Sequence, residues 1–189
     1  MVSEARLEQT EDGLVPAGKG WFVLNARQAR WWDRGHGHEV GLQGTADFAQ
    51  LGLGLTVLEP GEPMAIYHWE TDQEDFLILS GEGLLVIEGE ERPLRQWDFV
   101  HCPAGTNHVI VGAGNGPCVV FAIGALEHHT TGSRVEGTLE GKPDWGAYTV
   151  DAAALRHGAG VEDETNDAEV AYARFSGPRP MPDRDGWLP

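Results

Sequence analysis

Short apolar runs at 51–58, 64–69, 75–79, 84–88, 99–102, 108–111 and 118–123 recur along the middle of the chain, each too short for a core helix. Glycine or charge separates most of them, at Gly81-Glu82-Gly83, at Glu88-Gly89-Glu90 and over 112–116. Short strands punctuated in this way predict an antiparallel sandwich or barrel.

The flanks read differently. Residues 1–19 are mostly polar and are expected to be mobile, 20–24 read as a short strand, and Asn25 is placed to cap a helical turn running through Trp31 and Trp32. Towards the other end, Asp151 caps a predicted short helix over 152–157, which Gly158 stops. The acidic stretch Glu162-Asp163-Glu164 then leads to a tail over 177–182 too rich in proline for a helix. Trp187 and Leu188 lie near the end, and their burial on the barrel or on a partner subunit would order that tail. The expected organisation is an N-terminal extension over 1–50, a barrel over 51–126 and a partly irregular C-terminal extension over 127–189.

Length and composition fit this picture. The chain of 189 residues suits one domain with elaborations, and its 26 Gly and 11 Pro favour turns over helices. A net charge of −17 argues against nucleic acid or an anionic membrane as partner. The opening MVSEARLEQTEDG is acidic and polar, and no apolar run approaches the roughly 20 residues a membrane span needs, so a cytoplasmic location is expected. Cys102 and Cys118 make no disulfide framework and read as buried free thiols. A bridge between them would need their strands paired in the right register.

The candidate chemistry lies between Gly61 and Gly112. His68, Glu74 after an intervening Glu70, and Gly81 match much of the pattern G-x5-H-x-H-x3-or-4-E-x6-G, while Pro103, Gly105 and His108 match G-x5-P-x-G-x2-H-x3-N. These are the two motifs of the cupin superfamily, and the segment resembles it. One extra residue separates Gly61 from His68, Glu70 stands where the second histidine would be, Trp97 replaces the second motif's leading glycine, and Gly112 replaces its asparagine. Sliding the first motif by one residue would put Tyr67 and Trp69 at the histidine positions, so the register that retains His68 is preferred. The resemblance implies an all-β fold, a double-stranded β-helix of jelly-roll type, with short helical N- and C-terminal extensions.

Strand geometry supports that register independently. Side chains two apart on a strand share a face, so His68 and Glu70 point one way while Tyr67 and Trp69 point the other. A turn at Thr71-Asp72-Gln73 would bring Glu74 back beside them, and the turn Pro103 to Thr106 would deliver His108. His68, Glu70, Glu74 and His108 are therefore the candidate ligands of one divalent transition metal, for which Fe, Mn, Zn and Ni all suit imidazole and carboxylate donors. Arg34-Gly35-His36-Gly37-His38-Glu39 imitates a metal motif, but its flexible glycines make a surface loop the expected reading.

Tyr67, Trp69, Phe76 and Trp97 fall in or beside the motifs, where they could line a pocket or pack the core. His101 could face the cavity as an acid or base, on the opposite strand face from Cys102. Two functions stay open: a small metalloenzyme acting on a small molecule, or a module that binds one without turnover. Resemblance to cupins, with Trp187 and Leu188, also suggests a homodimer.

Overall fold

A computed structural model describes residues 1–46, 48–126 and 145–189. In chain order the elements are β1 Arg6–Thr10, β2 Gly13–Ala17, β3 Trp31–Asp33, β4 His38–Val40, β5 Leu51–Leu58, β6 His68–Glu70 and β7 Glu74–Ser80. They continue with β8 Glu82–Ile87, β9 Glu90–Arg95, β10 Phe99–Cys102, β11 His108–Ala113, β12 Cys118–Ala125 and β13 Gly146–Tyr148. The helices α1 Ala152–Arg156 and α2 Ala168–Ala171 and the strand β14 Arg179–Met181 complete the chain.

The fold is all-β. Seven strands in the order β10-β7-β12-β5-β4-β3-β14 form one sheet, and five in the order β13-β6-β11-β8-β9 form the other. Antiparallel pairing runs through both, and β5 and β12 match residue for residue from Leu51 opposite Ala125 to Leu58 opposite Cys118. Alternation along the strands sends Leu58, Phe76, Ile78 and Val120 from one sheet and Leu85, Leu94 and Ile110 from the other into a shared core. Burying each such side chain contributes about 1.5–3 kcal/mol, which holds the two sheets face to face. Cys102 and Cys118 sit in the same core as free thiols, as expected.

Strands at 51–58 and 99–102 have the expected bounds, but β9 was not expected. Its sequence, EERPLR, buries only Leu94 and carries Pro93, which is tolerated because β9 is an edge strand. The run at 64–69 is strand only from His68, with a single bridge between Pro63 and Val111 before it.

The extensions depart further from expectation. Residues 1–19 hold the β1–β2 hairpin, which is fastened by hydrogen bonds from Leu14 N to Gln28 O and from Arg30 N to Leu14 O. Residues 20–24 form no strand beyond one bridge between Glu4 and Trp21. Asn25 does cap a turn, accepting from Arg27 N at 2.9 Å, but the turn ends at Ala29 and both tryptophans enter β3. Pairing with β4, itself bound to β5, outweighs the helical tendency of 27–32.

The described part of the C-terminal extension packs on the barrel. Asp151 caps α1 by accepting from Ala154 N at 2.8 Å, and Ala153 and Ala154 cover the outer face bearing Tyr67, Val86 and Val109. β14 pairs with β3, and Trp187 is buried against Trp31 at 5.3 Å between ring centroids. The burial that suggested a subunit interface at Trp187 is thus satisfied within the chain. Residues 127–144, also assigned to this extension, lie outside the described residues. Among the described residues no helix is long and apolar enough to cross a membrane.

Candidate metal centre

β6 and β11 lie side by side in the five-stranded sheet, with His68 directly opposite His108. Both imidazoles face the barrel interior, while Tyr67 turns outward into the cluster under α1. Glu74 comes from the first position of β7 in the facing sheet, after the turn expected at Thr71–Gln73. The Pro103–Thr106 turn is closed by Thr106 N donating to Pro103 O, and Gly105 N fastens it to Glu70 O at 2.7 Å. Gly112 stands in the motif's asparagine position because its backbone crosses the 59–62 turn so closely that a Cβ would meet Glu59 O at 2.3 Å.

The two histidines are held in the same way. His68 Nδ1 lies 2.7 Å from Ile66 O, and His108 Nδ1 lies 3.0 Å from Thr106 O. A carbonyl can only accept, so each Nδ1 carries the proton and each Nε2 presents a lone pair to the cavity when the ring is neutral. His108 Nε2 is fully buried and has no hydrogen bond of good geometry, although it stands 3.3 Å from Glu74 Oε2. His68 Nε2 is 3.7 Å from the same oxygen and 3.5 Å from Glu70 Oε1.

These distances suit a shared ion. Two donors bound at about 2.1 Å with angles between 90° and 110° are separated by about 3.0–3.4 Å. One donor atom each from His68, Glu74 and His108 all lie within 4.8 Å of one another, so the three could hold a metal with small adjustments. Glu70 shares their face and borders the same cavity, but is not one of that compact group. Without an ion, burial disfavours a charged His108. Cys102 and Glu74 beside it outweigh burial and push its pKa up to about 10.

Beside the four residues lies a cavity of about 360 Å³, walled by Phe76, Trp145, Tyr148 and Tyr172. Of these, only Phe76 was recognisable from the sequence. Tyr148 enters by pairing opposite His68 as β13 adds to β6, and Tyr172 enters just after α2. Burial raises the pKa of both phenols, so each keeps its proton at neutral pH.

The remaining candidates lie elsewhere. Trp97 is 67% exposed and Tyr67 packs in the outer cluster, so neither lines the cavity. His101 points outward, with Nδ1 2.7 Å from Asp75 Oδ1, and cannot serve as an acid or base inside the barrel. His36 does not join a ligand set. Its ring packs between Tyr172 and Phe175, and burial lowers its pKa.

Residues 54–124 match the family model described as "Cupin domain". The chain is similar to a sugar phosphate isomerase of the cupin superfamily from Silicibacter pomeroyi (26% identity, 48% of this chain and 59% of that one, TM-score 0.44). It is also similar to the polyketide cyclase RemF from Streptomyces resistomycificus (16% identity, 57% and 80%, TM-score 0.49). A third likeness is to a cupin 2 conserved barrel domain protein from Salinispora arenicola (20% identity, 57% and 88%, TM-score 0.45). The chain spans less than two thirds of the isomerase's own length. No curated protein matches it.

Proposed function

We propose that this chain, which belongs to the cupin superfamily through residues 54–124, holds one divalent transition metal at His68, Glu74 and His108 and receives a small molecule in the adjoining cavity. The observation that carries this reading is the pair of imidazoles tethered through Nδ1, with both Nε2 atoms gathered around one carboxylate. Tethering fixes the ring orientation before any ion arrives, so little is lost in ordering the site.

In this reading Glu70 is the fourth ligand, and its carboxylate with that of Glu74 balances a divalent charge. Fe, Mn, Zn and Ni all accept such a set. When bound, the metal supplies a Lewis acid with positions left over for a ligand oxygen. The chain's own part is to orient that ligand against Phe76, Trp145, Tyr148 and Tyr172 and to exclude water around it.

We also propose a cytoplasmic homodimer. With Trp187 buried inside the chain, support for pairing rests on β10, an edge strand that leaves Phe99 63% exposed beside Trp97. A monomeric mass by light scattering at micromolar concentration would remove the dimer.

Elemental analysis of purified protein, followed by equilibrium dialysis against each metal, tests the centre. About one ion per chain is expected, with uptake lost in a His68→Ala/His108→Ala double variant. Unchanged stoichiometry and affinity in that variant would overturn the assignment.

A further inference from the structure

Three of the four aromatic walls of the cavity, Trp145, Tyr148 and Tyr172, come from the C-terminal extension. Trp145 and Tyr148 lie 4.9 Å apart between ring centroids, and they stand 6.1 and 5.9 Å from the ring of His68. Tyr172 meets Tyr148 edge-on at 5.6 Å, and Phe76 borders His108 at 5.3 Å from the facing sheet. Rings therefore surround the space next to the histidines on several sides. Aliphatic side chains would have excluded water equally well, but they offer no flat π faces.

Charge narrows the choice of ligand further. Glu70 and Glu74 border the cavity, and no lysine or arginine does so among the described residues. A phosphomonoester carries close to two negative charges at neutral pH, and a buried anion needs counter-charge. The two carboxylates already neutralise a divalent ion, so nothing described in the wall would balance a phosphate. One hydroxyl is available for a polar group on the ligand. Tyr172 Oη accepts from Ile66 N at 3.2 Å, and burial keeps the phenol protonated, so its own proton is there to donate.

We propose that the cavity takes an uncharged or singly charged aromatic compound bearing an oxygen substituent, its ring held between Trp145, Tyr148 and Phe76 and its oxygen directed to the histidine–glutamate centre. This rests on reading the cavity as the ligand site. It adds what that reading lacks, a substrate class, in which the described wall disfavours phosphorylated compounds.

The test titrates 4-nitrocatechol, followed by its visible spectrum, and glucose 6-phosphate, followed by calorimetry, into the full chain with and without Fe(II), whose binding is measured separately. The catechol should bind the metal-loaded protein at least about tenfold more tightly than the sugar phosphate. Trp145→Ala should weaken catechol binding by about fivefold to tenfold, the scale of one aromatic contact, and Trp145→Phe should restore most of it. Metal stoichiometry should be unchanged in both variants. If no metal binds, the centre fails, and the metal-free protein still decides the substrate class through the same two variants. Tighter binding of the phosphate, or equal catechol binding by Trp145→Ala and the parent protein, would overturn the proposal.

Discussion

His68 faces His108 across β6 and β11 with ring centroids 5.2 Å apart, and the same glutamate carboxylate approaches both rings from the facing sheet. Two strands of one sheet and one of the other thus meet at a single point. Glu70, two residues along β6 from His68, borders this point, and its role is open to direct measurement.

If Glu70 coordinates, the site has two imidazoles and two carboxylates and should accept Mn(II) well. Glu70→Gln should then weaken metal binding, by about tenfold or more on loss of a charged donor. Glu70→His should keep binding and shift preference towards Ni(II), Cu(II) or Zn(II). Titrations of the three proteins with Mn(II) and Zn(II) at one pH check this, and superimposable curves would exclude Glu70 from the centre.

The raised pKa of His108, about 10, sets a pH dependence. Because it lies above the unfolded value of about 6.5, the stability His108 gives the metal-free protein is fully present below that value and is lost as pH rises towards 10. A metal ligand must be neutral imidazole, so loading near neutral pH should release about one proton per ion, and affinity should rise by up to about tenfold per pH unit. Calorimetry in two buffers of different ionisation enthalpy measures that proton, and equal heats would contradict it.

Trp97 occupies the place of a motif glycine with a φ of +73° and an exposed side chain. A left-handed backbone costs a bulky residue about 1–2 kcal/mol, part of which glycine's extra chain entropy cancels. Trp97→Gly should therefore stabilise the protein by up to about 1 kcal/mol, read from urea denaturation midpoints.

Gly146 is confined differently. At a φ of +145°, a Cβ there would lie 1.8 Å from Trp69 O, where β13 approaches β6. Gly146→Ala should cost about 1–3 kcal/mol of stability and displace Trp145 and Tyr148 from the cavity. Denaturation curves with tryptophan fluorescence report both effects, while metal uptake should persist because His68, Glu74 and His108 lie outside β13.

Much of the centre was legible because its residues sit on short strands with fixed alternation. His68 and Glu70 share a face by period alone, and a three-residue turn suffices to return Glu74. The cavity wall was not legible, since Tyr148 and Tyr172 reach it through long-range pairing and packing that leave no local pattern. The hairpin over residues 6–17 was missed for a related reason. Its anchor is backbone hydrogen bonding to residues 28 and 30, which side-chain composition does not report. β9 was hidden by its charges, which an edge strand facing solvent can carry.

The seven-stranded sheet has unequal ends. At β14 the edge is three residues long with Pro180 in its middle, which leaves one fewer donor for another chain to meet. At β10 the edge begins with exposed Phe99 and carries no proline. Contacts through β10 would join like to like about a two-fold axis and leave the blunted β14 end of this sheet outward on each copy. In the dimer proposed above such a surface would close upon itself at two copies, and among the described residues the seven-stranded sheet would offer growth only its blunted β14 edge.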